Sequence, residues 1–404
     1  VSGWEIQAQY ISKKGEFMKK QFWRGTAGAV ILGLAAQGVN AADIQFRGFA
    51  SFVGGTTLNS DETLYGYDDT LNFRHDSLMA LQMDAKLDDK LKATMQIIGR
   101  GANSYDPAIE WAYLTYDLSE HLQVSAGRIR IPFYRYSDFI DVGYAYNWIG
   151  VPQTVYGFDF PGYDGLSFVY NNQFGSWDST LQLVYGQFEG ETLGYEANME
   201  NLTGFNWTVT RDWLTLRAGY MRSKATILIT ALEQLAVGVE GVGALNTVDL
   251  SALADDIRLE NDDGDFLGLA IGIDRNNFLF DVEYIQYTVG DSLLADTDAY
   301  FVAAGYRFGK WIPLLTYSKS KADAPQKILN SIPATAGDFS MGSATLSQVI
   351  AAAVGATEDE KTLVDLTLRY DFHHSAAFKV ALTEEENKAG DKNRLLRFGV
   401  DLVF

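Results

Sequence analysis

The chain has 404 residues, with 38 Gly, only 7 Pro, 13% aromatic residues and a mean hydropathy of −0.08, a mixture suited to amphipathic strands. The complete lack of Cys excludes thiolate metal sites, thiol catalysis and disulfides. A formal net charge of −20 opposes nucleic-acid binding, which depends on Lys and Arg neutralising phosphate.

From Met18 the chain reads MKKQFWRG, then TAGAVILGLAAQG, then VNA before Ala42. A basic region, an apolar region and a small-residue cleavage site in that order predict a secretory signal peptide over residues 18–41. The apolar run from Thr26 to Ala36 is shorter than the roughly 20 residues a membrane anchor needs. Residues 1–17 read as an upstream extension and residues 42–404 as the folded unit. Removing residues 1–41 takes away five basic residues (Lys13, Lys14, Lys19, Lys20, Arg24) and two acidic ones (Glu5, Glu16), leaving 27 basic against 50 acidic, net −23. Such an excess enriches cations at a surface or in a lumen.

Beyond Ala42 no segment offers 18 uncharged apolar residues, and the recurring period is two. In LQMDAKL, Leu81, Met83, Ala85 and Leu87 fall on one face and Gln82, Asp84 and Lys86 on the other. VDLTLRYDF sets Val364, Leu366, Leu368, Tyr370 and Phe372 against Asp365, Thr367, Arg369 and Asp371, and similar runs are DFLGLAIGI, NFLFDVEY, YFVAAGYRF, WLTLRAGY and AFKVALTE. Residues 108–117 and 198–210 alternate less cleanly.

Sixteen strands organise these runs, and their connections alternate in length. Long or variable links cover about residues 55–70, 101–107, 132–164, 188–200, 223–263, 288–298, 321–359 and 384–393; tight ones fall at 88–89, 119–120, 171–175, 211–212, 274–277, 309–310 and 373–375. Short turns at one end and long loops at the other, with apolar faces turned outward, predict a transmembrane antiparallel β-barrel. Lipid leaves no backbone group unpaired, so the sheet must close, and two ends on the same side require an even strand count. Aromatic residues near strand ends (Trp111, Trp177, Trp207, Trp213, Tyr306, Phe308, Trp311, Tyr370 and Phe372) suit interfacial girdles.

The opening strand IQFRGFASF, the stretch VSAGRIRIPFYRYSDFIDVGYAYNWIGVPQTVYGFDF and the ending RFGVDLVF resemble their counterparts in sixteen-stranded Gram-negative outer-membrane porins. The resemblance spans residues 42–404 and implies an all-β barrel that passes small hydrophilic solutes and ions through a water-filled channel. It also implies a homotrimer set in outer-membrane lipid and lipopolysaccharide, with no cofactor. In that family the loop after strand five folds into the lumen, and the C-terminal aromatic pattern is read by the barrel assembly machinery. Here Phe398, Val400, Leu402 and Phe404 would carry that signal on the lipid face, with Arg397, Gly399 and Asp401 inward and the last strand closing on residues 44–52.

The corresponding inward loop is 132–164, rich in Tyr, Phe and Trp. It carries Asp138, Asp141, Asp159 and Asp164 with Arg135 as its basic residue, while strand parity turns Arg47, Arg217, Arg307, Arg369 and Arg397 inward, with Arg100, Arg128 and Arg130 near strand ends. Parity that puts Leu122 and Val124 outward does the same for Arg128 and Arg130. Loop carboxylates facing wall guanidinium groups would set a transverse field across a constriction. The plainer alternative pairs these arginines with neighbouring carboxylates such as Asp365, Asp371 and Asp401. Few Lys in strand cores and the acidic balance argue against a phosphate-selective relative and for weak cation preference or none.

Residues 223–263 are rich in Ala, Leu and Val, and SATLSQVIAAAVG (343–355) reads as a short helix capped by Ser343. These long loops could cover the mouth, enter the lumen or brace a trimer. NDDGD (261–265) reads as a solvated turn, lacking the spacing of a calcium loop. Two other functions compete. An enzyme needs a base beside a nucleophile, and of His75, His121, His373 and His374 only His75 lies away from the short turns; no nucleophile-elbow or zinc motif occurs. A substrate-specific channel, or a structural or adhesin-like barrel acting through its loops, would share the architecture.

Overall fold

The computed structural model describes residues 43–157, 160, 162–192, 194–290 and 292–404. The signal and upstream segments, and Asp159, lie outside them. Sixteen antiparallel strands form one closed barrel. In chain order they are β1 (Asp43–Thr57), β2 (Leu78–Lys86), β3 (Leu91–Arg100), β4 (Pro107–Asp117), β5 (Leu122–Ile129), β6 (Tyr163–Phe174), β7 (Trp177–Thr192) and β8 (Tyr195–Arg211). The second half comprises β9 (Leu214–Ile227), β10 (Asp262–Arg275), β11 (Phe278–Val289), β12 (Asp296–Tyr306), β13 (Trp311–Asp323), β14 (Asp359–His373), β15 (Ala376–Asn387) and β16 (Lys392–Val403). No described helix is long and apolar enough to cross a membrane, so the strands do the crossing.

The exterior carries the apolar parity. Phe46 and Leu366 are 62% and 55% exposed, whereas Asp84, Asp365 and Arg397 on the opposite face are buried. Every backbone ladder finds a partner because β1 pairs with both β2 and β16. The seam differs from the expected one. Phe49 to Thr57, not residues 44–52, pair with β16, since closing a barrel staggers its strands: β2 pairs with residues 43–51 along one edge of β1 and β16 with residues 49–57 along the other. At the end of the seam the backbones of Gly48 and Phe404 exchange hydrogen bonds of 2.7 and 2.9 Å. A side-chain carbon at Gly48 would stand 2.3 Å from the Phe404 ring, so glycine makes the seat for the last aromatic residue. Phe398 meets Phe73 edge-on, 5.9 Å between centroids, on the same outer face as Val400 and Leu402.

Two stretches of poor alternation each contain an irregular register. A shift at Gln96/Ile97 opposite β4 brings Trp111 to the inner side, where Arg130 lies over its ring at 5.3 Å. Trp111 therefore does not belong to a girdle, because a bulge adds one residue and reverses the face. On β8 a second shift falls at Glu200/Thr203, with another at Gly186/Phe188 on β7. The predicted loop over 188–200 is itself ladder: Phe188 to Thr192 pair with Met199 back to Tyr195, and Gly194 (φ +79°) supplies the left-handed turn. Other aromatic residues do collect at the short-turn end, where Trp311 stacks on Tyr370 at 4.3 Å and Tyr306 packs against Phe278.

The long connections hold the helices. Helix α1 (Gln153–Tyr156) lies between β5 and β6; α2 (Thr230–Asn246) and α3 (Ser251–Ile257) between β9 and β10; α4 (Gln326–Asn330) and α5 (Leu346–Gly355) between β13 and β14. Thr345, not Ser343, caps α5, since its hydroxyl accepts from the Gln348 N–H while the Gln348 side chain accepts from the Thr345 N–H. The four outer helices share one apolar core, with Val239, Leu253 and Ile257 meeting Ile328, Leu346 and Ile350, and Leu293 from a third connection joins it. NDDGD opens β10 rather than forming a free turn, and Asp263 pairs with Arg222 and Lys224 on β9.

Candidate functional site

The chain between β5 and β6 is where charge and aromatic residues converge. Its Phe133, Tyr134, Tyr136, Trp148, Tyr156 and Phe160 pack in one cluster with Met221, Phe266, Ile285 and Phe301, inward residues of β9 to β12. Glycines on the wall and on the segment make room for the contact. A side-chain carbon at Gly272 would lie 2.1 Å from the Arg135 guanidinium, and one at Gly143 would lie 2.2 Å from the Asp401 carboxylate. DFLGLAIGI is apolar on both faces for this reason: one meets lipid and the other meets this segment.

Polar contacts fix it again to β9 and β11 and to three further strands, β13, β14 and β15. Arg217 on β9 donates to the carbonyls of Phe133 (3.0 Å) and Pro132 (2.5 Å). Arg369 on β14 donates to those of Tyr144 (2.9 Å) and Tyr146 (2.7 Å). Lys379 on β15 donates to those of Gly143 (2.6 Å) and Trp148 (2.5 Å), pairs with Asp401 at 2.8 Å and sits 4.9 Å from the Tyr146 ring centre. On β11, Glu283 accepts from the Arg135 N–H at 2.7 Å and from the Tyr156 hydroxyl, while Asp281 pairs with the Arg135 guanidinium. Trp148 donates to Thr316 on β13 at 2.7 Å.

A second knot joins the segment to its own side of the barrel. Asp141 accepts from Arg100 at 3.0 Å and Arg130 at 2.6 Å, and Glu110 binds the same two guanidinium groups. Burial opposes ionisation of Asp141, but Arg130 and Arg100 outweigh it and hold its carboxyl below the usual carboxylate range. Asp138 differs. Its side chain is exposed and makes no hydrogen bond or ion pair among the described residues, although Arg217 and Arg130 attract it at longer range.

A family model for the Gram-negative porins matches residues 27–390, most of the chain. This chain belongs to the Gram-negative porin family. The porin lies in the outer membrane and passes solutes by passive diffusion. Among solved structures it is similar to OmpT of Vibrio cholerae (13% identity, TM-score 0.54, covering 91% of this chain and 99% of that one) and OmpF of Salmonella typhi (13%, 0.55, 90% and 98%). The anion-selective porin of Comamonas acidovorans is also similar (12%, 0.55, 90% and 100%). At such identities the likeness shows the fold. No curated protein sequence matches the chain.

Within this porin the predicted site residues divide. Arg100, Arg130, Arg135, Asp141, Arg217 and Arg369 all touch the 130–162 segment or one another. Arg397 instead serves the first long connection, pairing with Asp76 at 3.1 Å and lying 5.3 Å from the Tyr65 ring, with Asp365 at 3.9 Å. Arg128 leaves the set: its parity keeps it on the outer face, where it binds Asp164 at 2.9 Å. Arg130 escapes the same parity because β5 ends at Ile129. Arg307 also leaves, pairing with Asp274 beside the short turn at 276–277. Arg47 points inward but is exposed near the start of β1, 3.9 Å from Asp84.

The expected rows of carboxylates facing guanidinium groups across open water are therefore largely closed into pairs, and the wall cations Arg217 and Arg369 bind backbone carbonyls. Arg369 additionally pairs with Asp371 at 2.7 Å, a neighbour the plainer alternative named. Lys379, Glu283, Asp281 and Glu110 were not anticipated. Their signal is an ionisable residue inside a strand at inward parity, as Lys379 is in AFKVALTE.

Proposed function

We propose that residues 130–162 narrow a water-filled lumen through which small hydrophilic solutes diffuse, with a weak preference for cations. One observation carries the preference: the cations that touch the segment are each matched by a carboxylate or a carbonyl, whereas Asp138 offers an exposed carboxylate. An unmatched negative group in a confined lumen concentrates cations, and the acidic balance of the chain acts in the same direction. Reversal potential across a planar bilayer under a KCl gradient tests this. The expected sign is modestly cation-selective, and Asp138→Asn should move the potential toward zero; clear anion selectivity would defeat the proposal.

The oligomer we infer is a homotrimer joined through β1 to β5. Their outer face sets small or flexible residues, including Gly48, Ala50, Met79, Met83, Ala93 and Met95, between the exposed rings of Phe46 and Phe52, and those small residues let two barrels approach closely. OmpT of Vibrio cholerae is described in a trimer form. Chemical cross-linking in mild detergent should trap trimers, and capture of monomers alone would count against this assembly.

A further inference from the structure

We propose that a polar cavity on the long-loop side of the barrel binds small organic ammonium compounds. The proposal rests on the channel reading above and names a solute class for it. The cavity measures about 350 Å³ and is lined by Tyr65, Gln153, Thr154, Asp359, Lys361 and Glu385, among others. It lies between the turn of the first long connection, the start of α1 and the outer ends of β14 and β15.

Glu385 carries the inference. Its strand neighbours Glu384 and Glu386 point to the opposite face, and both are paired with Lys392, at 2.8 and 3.3 Å. Glu385, half-buried and turned into the cavity, makes no hydrogen bond or ion pair among the described residues. Lys361 attracts it at longer range but forms no ion pair with it, its ammonium standing 3.2 Å from Asp359. The three ionised groups leave the cavity one negative charge in excess. A partly desolvated carboxylate without a partner is unfavourable, and a ligand that brings a positive charge removes that cost.

The remaining lining says which cation. Among the described residues no group of three His, Asp or Glu is placed to hold a metal ion. A neutral polyol would leave Glu385 unmatched, and an anion would add to the excess. An alkyl- or arylammonium group answers the carboxylate, while the side-chain oxygens of Gln153 and Thr154 can accept its further N–H donors. Tyr65 adds an aromatic surface of the kind that attracts ammonium groups. It is held there by a turn in which Tyr65 (φ +54°) and Gly66 (φ +83°) are both left-handed, a conformation a bulky residue adopts only when its surroundings enforce it.

The test uses the purified full-length porin in a planar bilayer in KCl at neutral pH. Benzylamine hydrochloride, or the neutral benzyl alcohol, is added on the long-loop side. Benzylamine should interrupt the open current and benzyl alcohol should not, with block expressed as a fraction of each protein's own open current. Glu385→Gln should raise the half-blocking concentration of benzylamine about tenfold, the loss of one charge-assisted contact. Equal block by the amine and the alcohol, no block by either, or block unchanged in Glu385→Gln would overturn the proposal. If the variant does not fold, the amine and alcohol comparison on the unaltered protein decides. A porin that conducts without amine block defeats this inference alone, whereas folded protein that conducts nothing defeats the channel reading and this inference with it.

Discussion

Lys379 has no solvent exposure, and an ammonium group taken out of water costs several kcal/mol unless its surroundings replace the lost hydration. Two carbonyls, the Asp401 carboxylate and the Tyr146 ring replace it, and all but Asp401 come from the segment between β5 and β6. Asp141 does the converse, bringing a loop carboxylate to Arg100 and Arg130. Because these guanidinium groups lower its folded-state pKa, its contribution is complete above the ordinary carboxylate range of about 4. It is lost only as pH falls through the lowered value. The hold of Asp141 on the segment should therefore persist from about pH 7 to about pH 4 and loosen only in more acidic solution. Asp141→Asn should give the larger, noisier steps of a loosened segment at neutral pH, and a variant whose conductance and acid response match those of the unaltered protein would exclude this role for Asp141. At this scale the sequence was partly legible. Parity identified Arg217, Arg369 and Arg397 as inward, but no residue pattern tells whether an inward arginine faces water, a carboxylate or a backbone carbonyl.

Among the elements, the strands were the legible part, since lipid outside and polar groups inside impose a period of two. Reading weakened where one added residue reversed the faces, as at Trp111, and where a loop covered the inner wall so that both faces became apolar, as on β10 and β12. The helices were less legible because their apolar partners lie in other connections: α2 and α3 bury residues against α4 and α5, which are far away in sequence. Ile350 is fully buried in that shared core. Ile350→Asp places an unpaired charge there, at a cost of several kcal/mol that local collapse cannot absorb. Limited proteolysis should then cut within residues 228–261 and 324–358 while the barrel keeps the heat-dependent gel migration of a folded sheet. Cleavage no faster than in the unaltered protein would mean that the helices do not stabilise one another.

For the molecule as a whole, closure is the governing constraint. The sheet leaves no edge, the exterior is apolar, and the interior holds paired charges around a segment fastened to both sides of the wall. The central claim is that this segment narrows an open, water-filled passage and that buried cations keep it in place. Single-channel recording of the unaltered protein and of Lys379→Met tests it most directly. The unaltered protein should open in ohmic steps proportional to salt concentration, and Lys379→Met, which frees the carbonyls of Gly143 and Trp148, should give larger and noisier steps. Folded protein that conducts nothing, or a Lys379→Met channel indistinguishable from the unaltered one, would contradict it.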